Sequence, residues 1–352
     1  MNIKITGIGS YIPKIIVKNT DFDKHHFLNE DGTTFNYSND VVIDKFKDIT
    51  GIQERRYAEQ NLCASDLAFF AAQNAINSAN IDPETIDYII LAQNFGDVKL
   101  NTNQSDMLPS LATRVKHKLK IKNPKCVAYD IIFGCPGWIE GVLQANAFIK
   151  SGMAKKCLVI GAETLSRVVD IHDRDSMIYA DGAGAAIIEA STDETGLLCY
   201  ESATFANDEA EYLHFGCSFN KELSPEIKYI KMYGRKIYEF ALSRVPQAMK
   251  ECLDKSGINI DSVKKILIHQ ANEKMDEAIV NRFYKLYDRK MPKGIMPMSI
   301  ANLGNSSVAT IPTLYDLLLS GKIENQEINS GDILIFASVG AGMNVNAFVY
   351  RM

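Results

Sequence analysis

Apolar and polar residues alternate over positions 2–9, and the run closes in Gly-Ile-Gly, which predicts a strand that turns at its end. From Asp21 to Asp44 this order dissolves into a polar, charged stretch with His25, His26, Asp31-Gly32 and Asn36, predicting loops and a short helix. Periodicity returns at Ser65 to Asn80. There Leu67, Phe70, Ala71, Asn74, Ala75 and Ile76 recur at helical intervals behind Asp66, and IDPETIDYIILAQN then predicts a turn and a buried strand.

The same unit occurs twice. An ungapped shift of 177 lays Ala71 on Ala248, Ala75 on Cys252, Ile76 on Leu253 and Ile81 on Ile258. It also lays Thr85 on Ser262, Ile86 on Val263, the run 89–91 on the run 266–268, and Gln93 on Gln270. Agreement in apolar pattern, turn and strand end reads as a duplication. A second pair of elements repeats as well. A helix from Pro136 to Lys150 precedes Ser151-Gly152 and a strand at 157–163, while a helix from Ser306 to Leu319 precedes Ser320-Gly321 and a strand at 333–342.

Short apolar strands alternating with helices predict an α/β fold with a mostly parallel sheet in each half, covered on both faces. The halves divide as residues 1–180 and 181–352. Asp181-Gly-Ala-Gly-Ala reads as a turn into a strand; because no helix follows, close backbone packing is expected there in place of a phosphate cradle.

Composition narrows the class without naming an activity. A chain of 352 residues, 46% of them hydrophobic, can bury a large core. A net charge of −5 without a long basic run argues against nucleic acid or an anionic membrane as the main partner. Seven cysteines, at 63, 126, 135, 157, 199, 217 and 252, include no C-x-x-C pair and form neither a disulfide framework nor a zinc pattern. With no signal-like amino terminus and no window of 18 apolar residues, the expected location is the cytoplasm. His25 and His26 lack acidic or cysteine partners at ligand spacing, and a solvated surface is the better account of them than a metal.

Chemistry concentrates at element ends. In VAYDIIFGCPGWIEGVLQANAF, a strand and a tight turn deliver Cys135 to a helix start, where free N–H groups and the positive helix end favour thiolate. His269 ends the strand in KKILIHQAN, whereas the first half has Ala92 at the matching place; Asn305 lies in the turn ANLGNSS, ahead of its helix. If the halves pack about a pseudo-twofold axis, Cys135, His269 and Asn305 converge on one pocket. Taken singly, His269 also fits an interior histidine and Asn305 a helix cap.

FGCPGW, DGAGAA, ILIHQAN, LGNSSVATIP and the terminal GAGMN, with ITGIGSYIP at the start and ITGIQERR at 49–56, resemble the β-ketoacyl-acyl carrier protein synthase III family. The likeness covers essentially the whole chain and implies a thiolase-like layered αβαβα fold in a homodimer. It implies that Cys135 is acylated by a primer thioester, with an oxyanion hole from the N–H groups of Cys135 and Gly342. His269 and Asn305 would donate hydrogen bonds to the malonyl-acyl carrier protein thioester as carbon dioxide leaves, and neither metal nor redox cofactor is required. Asn272 would touch the carrier's phosphopantetheine arm. Lys274 and Arg282, with Lys285, Arg289 and Lys290, would dock the acidic acyl carrier protein; a solvated helix face accounts for them equally well.

Departures from the family bear on the substrate. Relatives that take a CoA primer hold its nucleotide with a Trp and an Arg where this chain has Lys45 and Ile49, although Arg174 matches another nucleotide-contacting arginine. An acyl-CoA and an acyl-carrier primer therefore both stay open. Leu108 stands where the dimer neighbour lends an aromatic residue to the acyl pocket, which predicts room for longer or branched chains. A thiolase is disfavoured because the last cysteine is Cys252. The two-histidine synthases are disfavoured by Asn305, and hydroxymethylglutaryl-CoA synthases by the lack of an identifiable catalytic acid. A relative that joins acyl chains or closes a ring in secondary metabolism, as type III polyketide synthases do, shares Cys-His-Asn. A non-catalytic carrier-binding partner is the reading from outside the enzymes.

Overall fold

The computed structural model describes residues 2–192 and 194–352. Its first half begins with β1 (Asn2–Tyr11), followed by an excursion of β2 (Ile15–Lys18), α1 (Asn39–Thr50) and β3 (Glu54–Tyr57). It continues through α2 (Ala64–Ala79), β4 (Tyr88–Ala92), α3 (Leu111–Lys118), β5 (Val127–Ile131), α4 (Gly137–Lys150), β6 (Lys156–Thr164) and β7 (Asp181–Ser191). The second half holds β8 (Gly196–Thr204), a hairpin of β9 (Leu213–Cys217) and β10 (Lys228–Met232), α5 (Gly234–Ser256), β11 (Val263–Ile268) and α6 (Glu273–Lys285). Short α7 (Ile300–Leu303), α8 (Thr310–Leu319), β12 (Ile333–Gly340) and β13 (Asn344–Arg351) complete it.

The two main sheets run β1-β7-β6-β4-β5 and β8-β13-β12-β11. They correspond strand for strand, apart from β5. The offset of 177 also reaches β6 and β12: Leu91 pairs with Ile160, and Ile268 with Ala337. Both sheets are mixed, which corrects the expectation of mostly parallel ones. In the first, β4 is parallel to β5 and β6, but β7 is antiparallel to β6 and β1; in the second, only β11 and β12 are parallel. The cause is plain at Ala341–Met343, a turn too short for a parallel crossover between β12 and β13.

Strand β7 also moves the boundary between halves. Residues 181–191 pair with β1 and β6, so the sheets change over after Ser191 and not between 180 and 181. Asp181-Gly-Ala-Gly-Ala is already strand, not the turn expected. Asp181 accepts from the N–H groups of Ala58 (2.7 Å) and Ser166 (2.8 Å), and a Cβ on Gly184 would stand 2.7 Å from Pro312 of α8. Close packing is thus the reason for that glycine.

Five layers result. Helices α2 and α3 cover the outer face of the first sheet, α5 and α6 that of the second, and α4 and α8 touch strands of both sheets from between them. Their shared core brings Trp138 and Val142 of α4 and Leu314 and Tyr315 of α8 against Val159 and Ile188 on one side and Phe336 and Phe348 on the other. Burying such side chains from both faces drives the halves together, at about 1.5–3 kcal/mol for each large apolar side chain.

The excursion hangs on Arg55, which is fully buried. Its guanidinium donates to the carbonyls of Met177 (3.0 Å) and Val17 (3.1 Å) and to Asn19 Oδ1 (2.6 Å), and lies 4.9 Å from the Phe22 ring. Burial lowers its pKa to about 10, leaving it charged. A planar cation with several fixed donors thereby ties β2 and the turn after it to the loop before β7.

Candidate active site

Cys135 lies two residues ahead of α4, after a turn in which Gly134 has φ +64°. The end of β12 presses on it: a Cβ on Gly340 would collide with the Cys135 backbone N, and one on Gly134 would stand 2.6 Å from the Ala341 N. The first half thus supplies the sulfur, and the second supplies the backbone beside it. Gly342 does not line the cavity into which Cys135 opens, whereas Gly340 and Ala341 do. Of the predicted pair, Cys135 borders the cavity, while Gly342 lies in the turn that follows Ala341, where its φ of +76° serves the reversal into β13.

His269 follows β11 and is bound through its own N–H to the Ala337 carbonyl (3.0 Å). Asn305 is buried in the turn after α7, its backbone paired with the Ile178 carbonyl and the Ala180 N–H. Its side chain does not cap α8, whose regular turns begin only at Thr310, later than the predicted Ser306. Instead Asn305 Oδ1 accepts from the Ser307 N–H at 2.8 Å, leaving the amide hydrogens for another partner.

Ser307 is the residue that the sequence reading missed. Its backbone is left-handed (φ +52°), an uncommon state for a side-chain-bearing residue. That conformation lets it touch every part of the site. Its Oγ lies 3.4 Å from Cys135 Sγ, its N–H meets Asn305, and its carbonyl accepts from Thr310 Oγ1 (3.0 Å), which in turn lies 2.7 Å from His269 Nδ1. The doubled serine of GNSS gives no hint of a role for its second member, because nothing in residue spacing reveals a left-handed backbone.

A buried acid also escaped notice. Asn94 Nδ2 donates to Glu163 Oε1 (2.5 Å) and to Ser307 Oγ (3.3 Å), while Asn94 Oδ1 accepts from the Gly134 N–H (3.1 Å). Glu163 is almost wholly buried at the end of β6. Its only sequence signal was a charge at the end of an apolar strand.

Burial governs the charge states. It pushes the Cys135 thiol up to about 11, with the nearby Glu163 carboxylate adding and the Ser307 hydroxyl opposing. This burial opposes the thiolate character expected from the helix start. Burial lowers His269 to about 4 and raises Glu163 to about 8. At neutral pH the resting site therefore consists of a thiol, a neutral imidazole and a carboxylic acid.

Cys135, His269, Asn305 and Ser307 line one cavity of about 1060 Å³. Arg174 and Asn272 line it too, Arg174 lying 4.8 Å from the Phe35 ring and Asn272 Oδ1 capping α6 through the Met275 N–H (3.0 Å). Lys45 and Ile49 of α1 also reach it, and Lys45 Nζ sits 4.3 Å from the Tyr37 ring. Leu108 does not; it stands 89% exposed beside Met107, which does. Lys274 and Arg282 are exposed on α6, and Arg289 is paired with Asp261 at 3.2 Å. Among the described residues no helix is long and apolar enough to cross a membrane, and His25 and His26 join no cluster that could hold a metal.

Two fused halves whose central helices meet at a cysteine turn define the fold of the thiolase-like condensing enzymes. Residues 129–206 match the family model for 3-oxoacyl-[acyl-carrier-protein] synthase III, and residues 253–352 match the model for its C-terminal part. The chain belongs to this family of condensing acyltransferases. It is 31% identical to the β-ketoacyl-[acyl-carrier-protein] synthase III of Staphylococcus haemolyticus over 100% of this chain and 99% of that one. The synthase III 1 of Halalkalibacterium halodurans is 32% identical over 96% and 95% of the respective chains. The crystal structure of the Aquifex aeolicus enzyme superposes with a TM-score of 0.80 at 31% identity, covering 99% of this chain and all of that one.

Proposed function

We propose that this chain joins an acyl group held on Cys135 to malonyl-acyl carrier protein by decarboxylative Claisen condensation. The observation that carries this reading is the common cavity of Cys135, His269 and Asn305, in whose wall Ser307 meets both the sulfur and Asn305. In the first half-reaction Cys135 Sγ attacks the carbonyl of an acyl-CoA or acyl-carrier primer. The thiol proton passes by way of His269 to the departing thiolate. The N–H groups of Cys135 and Ala341 receive the developing oxyanion, the kind of fixed donor whose loss costs about 3–4 kcal/mol in comparable holes.

In the second half-reaction His269 and the free amide hydrogens of Asn305 hold the malonyl thioester carbonyl. Loss of carbon dioxide places a carbanion equivalent there, it attacks the acyl-Cys135 carbonyl, and the cysteine sulfur leaves. A dry site of neutral groups suits this, because the charge that develops meets dipoles already oriented and no competing ion.

Carrier docking falls to the exposed Lys274, Arg282 and Lys285 of α6, whose spacing puts them on one side of the helix. The working unit is a homodimer. Support for it lies in β5, an edge strand with half-exposed Val127, and in the exposed apolar Met107, Leu108 and Ile132 nearby in sequence, which a second copy would cover. That copy would bring Leu108 to the acyl pocket. The seven cysteines, all free, fit a reducing cytoplasm.

The test supplies the purified protein with malonyl-acyl carrier protein and a panel of acyl-CoA and acyl-carrier donors, with products identified by mass. Wild type is expected to gain the acyl mass on Cys135 and release a β-ketoacyl carrier, and Cys135→Ala to do neither. Product formation by Cys135→Ala at the wild-type rate would overturn the proposal.

A further inference from the structure

Asn94 is held from three directions, and the way it is held decides where the hydroxyl proton of Ser307 points. Its Oδ1 accepts from the Gly134 N–H (3.1 Å), which fixes the amide nitrogen on the opposite side. That nitrogen donates one hydrogen to Glu163 Oε1 (2.5 Å) and turns the other to Ser307 Oγ (3.3 Å). A hydroxyl that already receives an N–H has its own proton to give, and Cys135 Sγ lies 3.4 Å away as the acceptor. Asn94 and Cys135 belong to the first half and Ser307 to the second. The left-handed backbone of Ser307 (φ +52°) carries its Oγ between them, and the residue is buried, so water competes little for either bond.

We infer that Ser307 is a catalytic residue whose hydroxyl stabilises negative charge on the Cys135 sulfur, and that Asn94 is the positioning residue that directs it there. Charge develops on this sulfur twice. In acylation Sγ passes its proton on to the departing thiolate as the S–C bond forms and the donor's C–S bond breaks. In condensation the C–C bond forms as the acyl carbon releases Sγ, which keeps the electron pair of the broken bond and then regains its thiol proton from water. Ser307 meets the sulfur with its O–H in both steps and retains its own proton. A neutral thioester sulfur is a poor acceptor, so the bond tightens only where charge appears, which is the condition for lowering a barrier. The acid form of Glu163 fits the same arrangement: it holds the Asn94 amide without setting a second negative charge near the sulfur.

This assignment rests on the reading of Cys135 as the acyl-bearing residue, and its experiment separates the two. Wild type, Ser307→Ala, Ser307→Gly, Asn94→Ala and the Ser307→Ala/Asn94→Ala double variant would be alkylated with iodoacetamide at pH 7, with modification of Cys135 followed by mass. Each would also be assayed for single-turnover condensation from acyl-Cys135. Glycine adopts the left-handed turn without strain, so Ser307→Gly removes the hydroxyl and keeps the backbone. Both Ser307 variants should lose about tenfold in thiolate population, partly offset by the greater nucleophilicity of a more basic sulfur, so that alkylation slows about fourfold. Condensation from acyl-Cys135 should slow about tenfold. Asn94→Ala should slow both by less, and the double variant should match Ser307→Ala alone, because Asn94 acts through the hydroxyl. Wild-type rates in Ser307→Gly would overturn the role of the hydroxyl, and a double variant slowed by the product of the single effects would overturn that of Asn94. Were the wild type to acquire no acyl group at all, the condensing reading would fall, while alkylation, which needs no acyl donor, would still decide what Ser307 does for the sulfur.

Discussion

The ends of β4 and β11 are the same piece of backbone used for different purposes. Gln93 and Gln270 match under the duplication and do the same work: Gln93 Oε1 accepts from the Gly96 N–H (2.6 Å), and Gln270 Oε1 from the Ser299 N–H (2.9 Å). One residue earlier the copies part, with Ala92 in the first half and His269 in the second. On the neighbouring strands the same offset sets Glu163 opposite Gly340. One copy places a buried acid at the strand end, and the other removes a side chain there so that Cys135 can be seated. The scaffold residues stayed alike while the site residues became complementary, and neither half holds a complete site.

Breaking the Glu163/Gly340 asymmetry gives the largest expected effect. Gly340→Ala would drive a methyl group into the Cys135 backbone and Pro136, contacts that the rigid turn cannot yield. Acylation should be lost, with a fall in unfolding free energy of about 1–3 kcal/mol, the usual range for overpacking. Mass analysis of acyl-Cys135 and denaturant unfolding measure the two. Full activity in this variant would mean that the second half does not press on the nucleophile.

An intermediate effect is expected at Glu163. Its carboxyl titrates at about 8 when folded and near 4.5 when exposed, so across that window the folded state retains a proton that the unfolded state has lost. Stability must then decline as pH rises from about 4.5 to about 8. Glu163→Gln, which still accepts from Asn94, should remove this decline. Unfolding midpoints for both proteins at pH 5 and pH 8 test it, and parallel pH profiles would contradict a protonated Glu163.

The smallest effect probes the conserved half of the comparison. Gln93→Ala and Gln270→Ala each strip one acceptor from a loop N–H and should each destabilise by about 1 kcal/mol, the net worth of an ordinary hydrogen bond. Equal values would support equivalent scaffold roles. A difference of several-fold would mean that the two glutamines have diverged as their neighbours did.

The duplication was legible because apolar spacing, turn residues and strand ends are local properties. Cys135, His269 and Asn305 stood out for the same reason, each being a polar group at the end of a regular element. Ser307, Asn94 and Glu163 did not, because their significance arises only when 94, 163 and 307 meet across the two copies. The charge state of Cys135 is not legible for a related reason: a helix start can be read from sequence, whereas the burial that opposes it is a property of the whole fold. The strand after Asp181 was legible as closing the first half, and its pairing with β1 and β6 carries that half on to Ser191, past the 180/181 division.

The Arg55 anchor carries an implication of its own. Segment 21–50 contributes Phe35, Val42, Lys45 and Ile49 to the cavity wall, and it meets the rest of the molecule through the Phe22 and Phe46 rings beside Arg55, the packing of those side chains with Met177 and Ile300, and the bond from the Leu28 N–H to the His172 carbonyl. A wall mounted in this way can be exchanged without disturbing the sheets that align sulfur and imidazole. Substrate choice and chemical machinery thus occupy separable parts of the chain, and a transplanted segment that kept the two aromatic rings against Arg55 would alter which acyl donor enters while the bond-forming apparatus remained as it was.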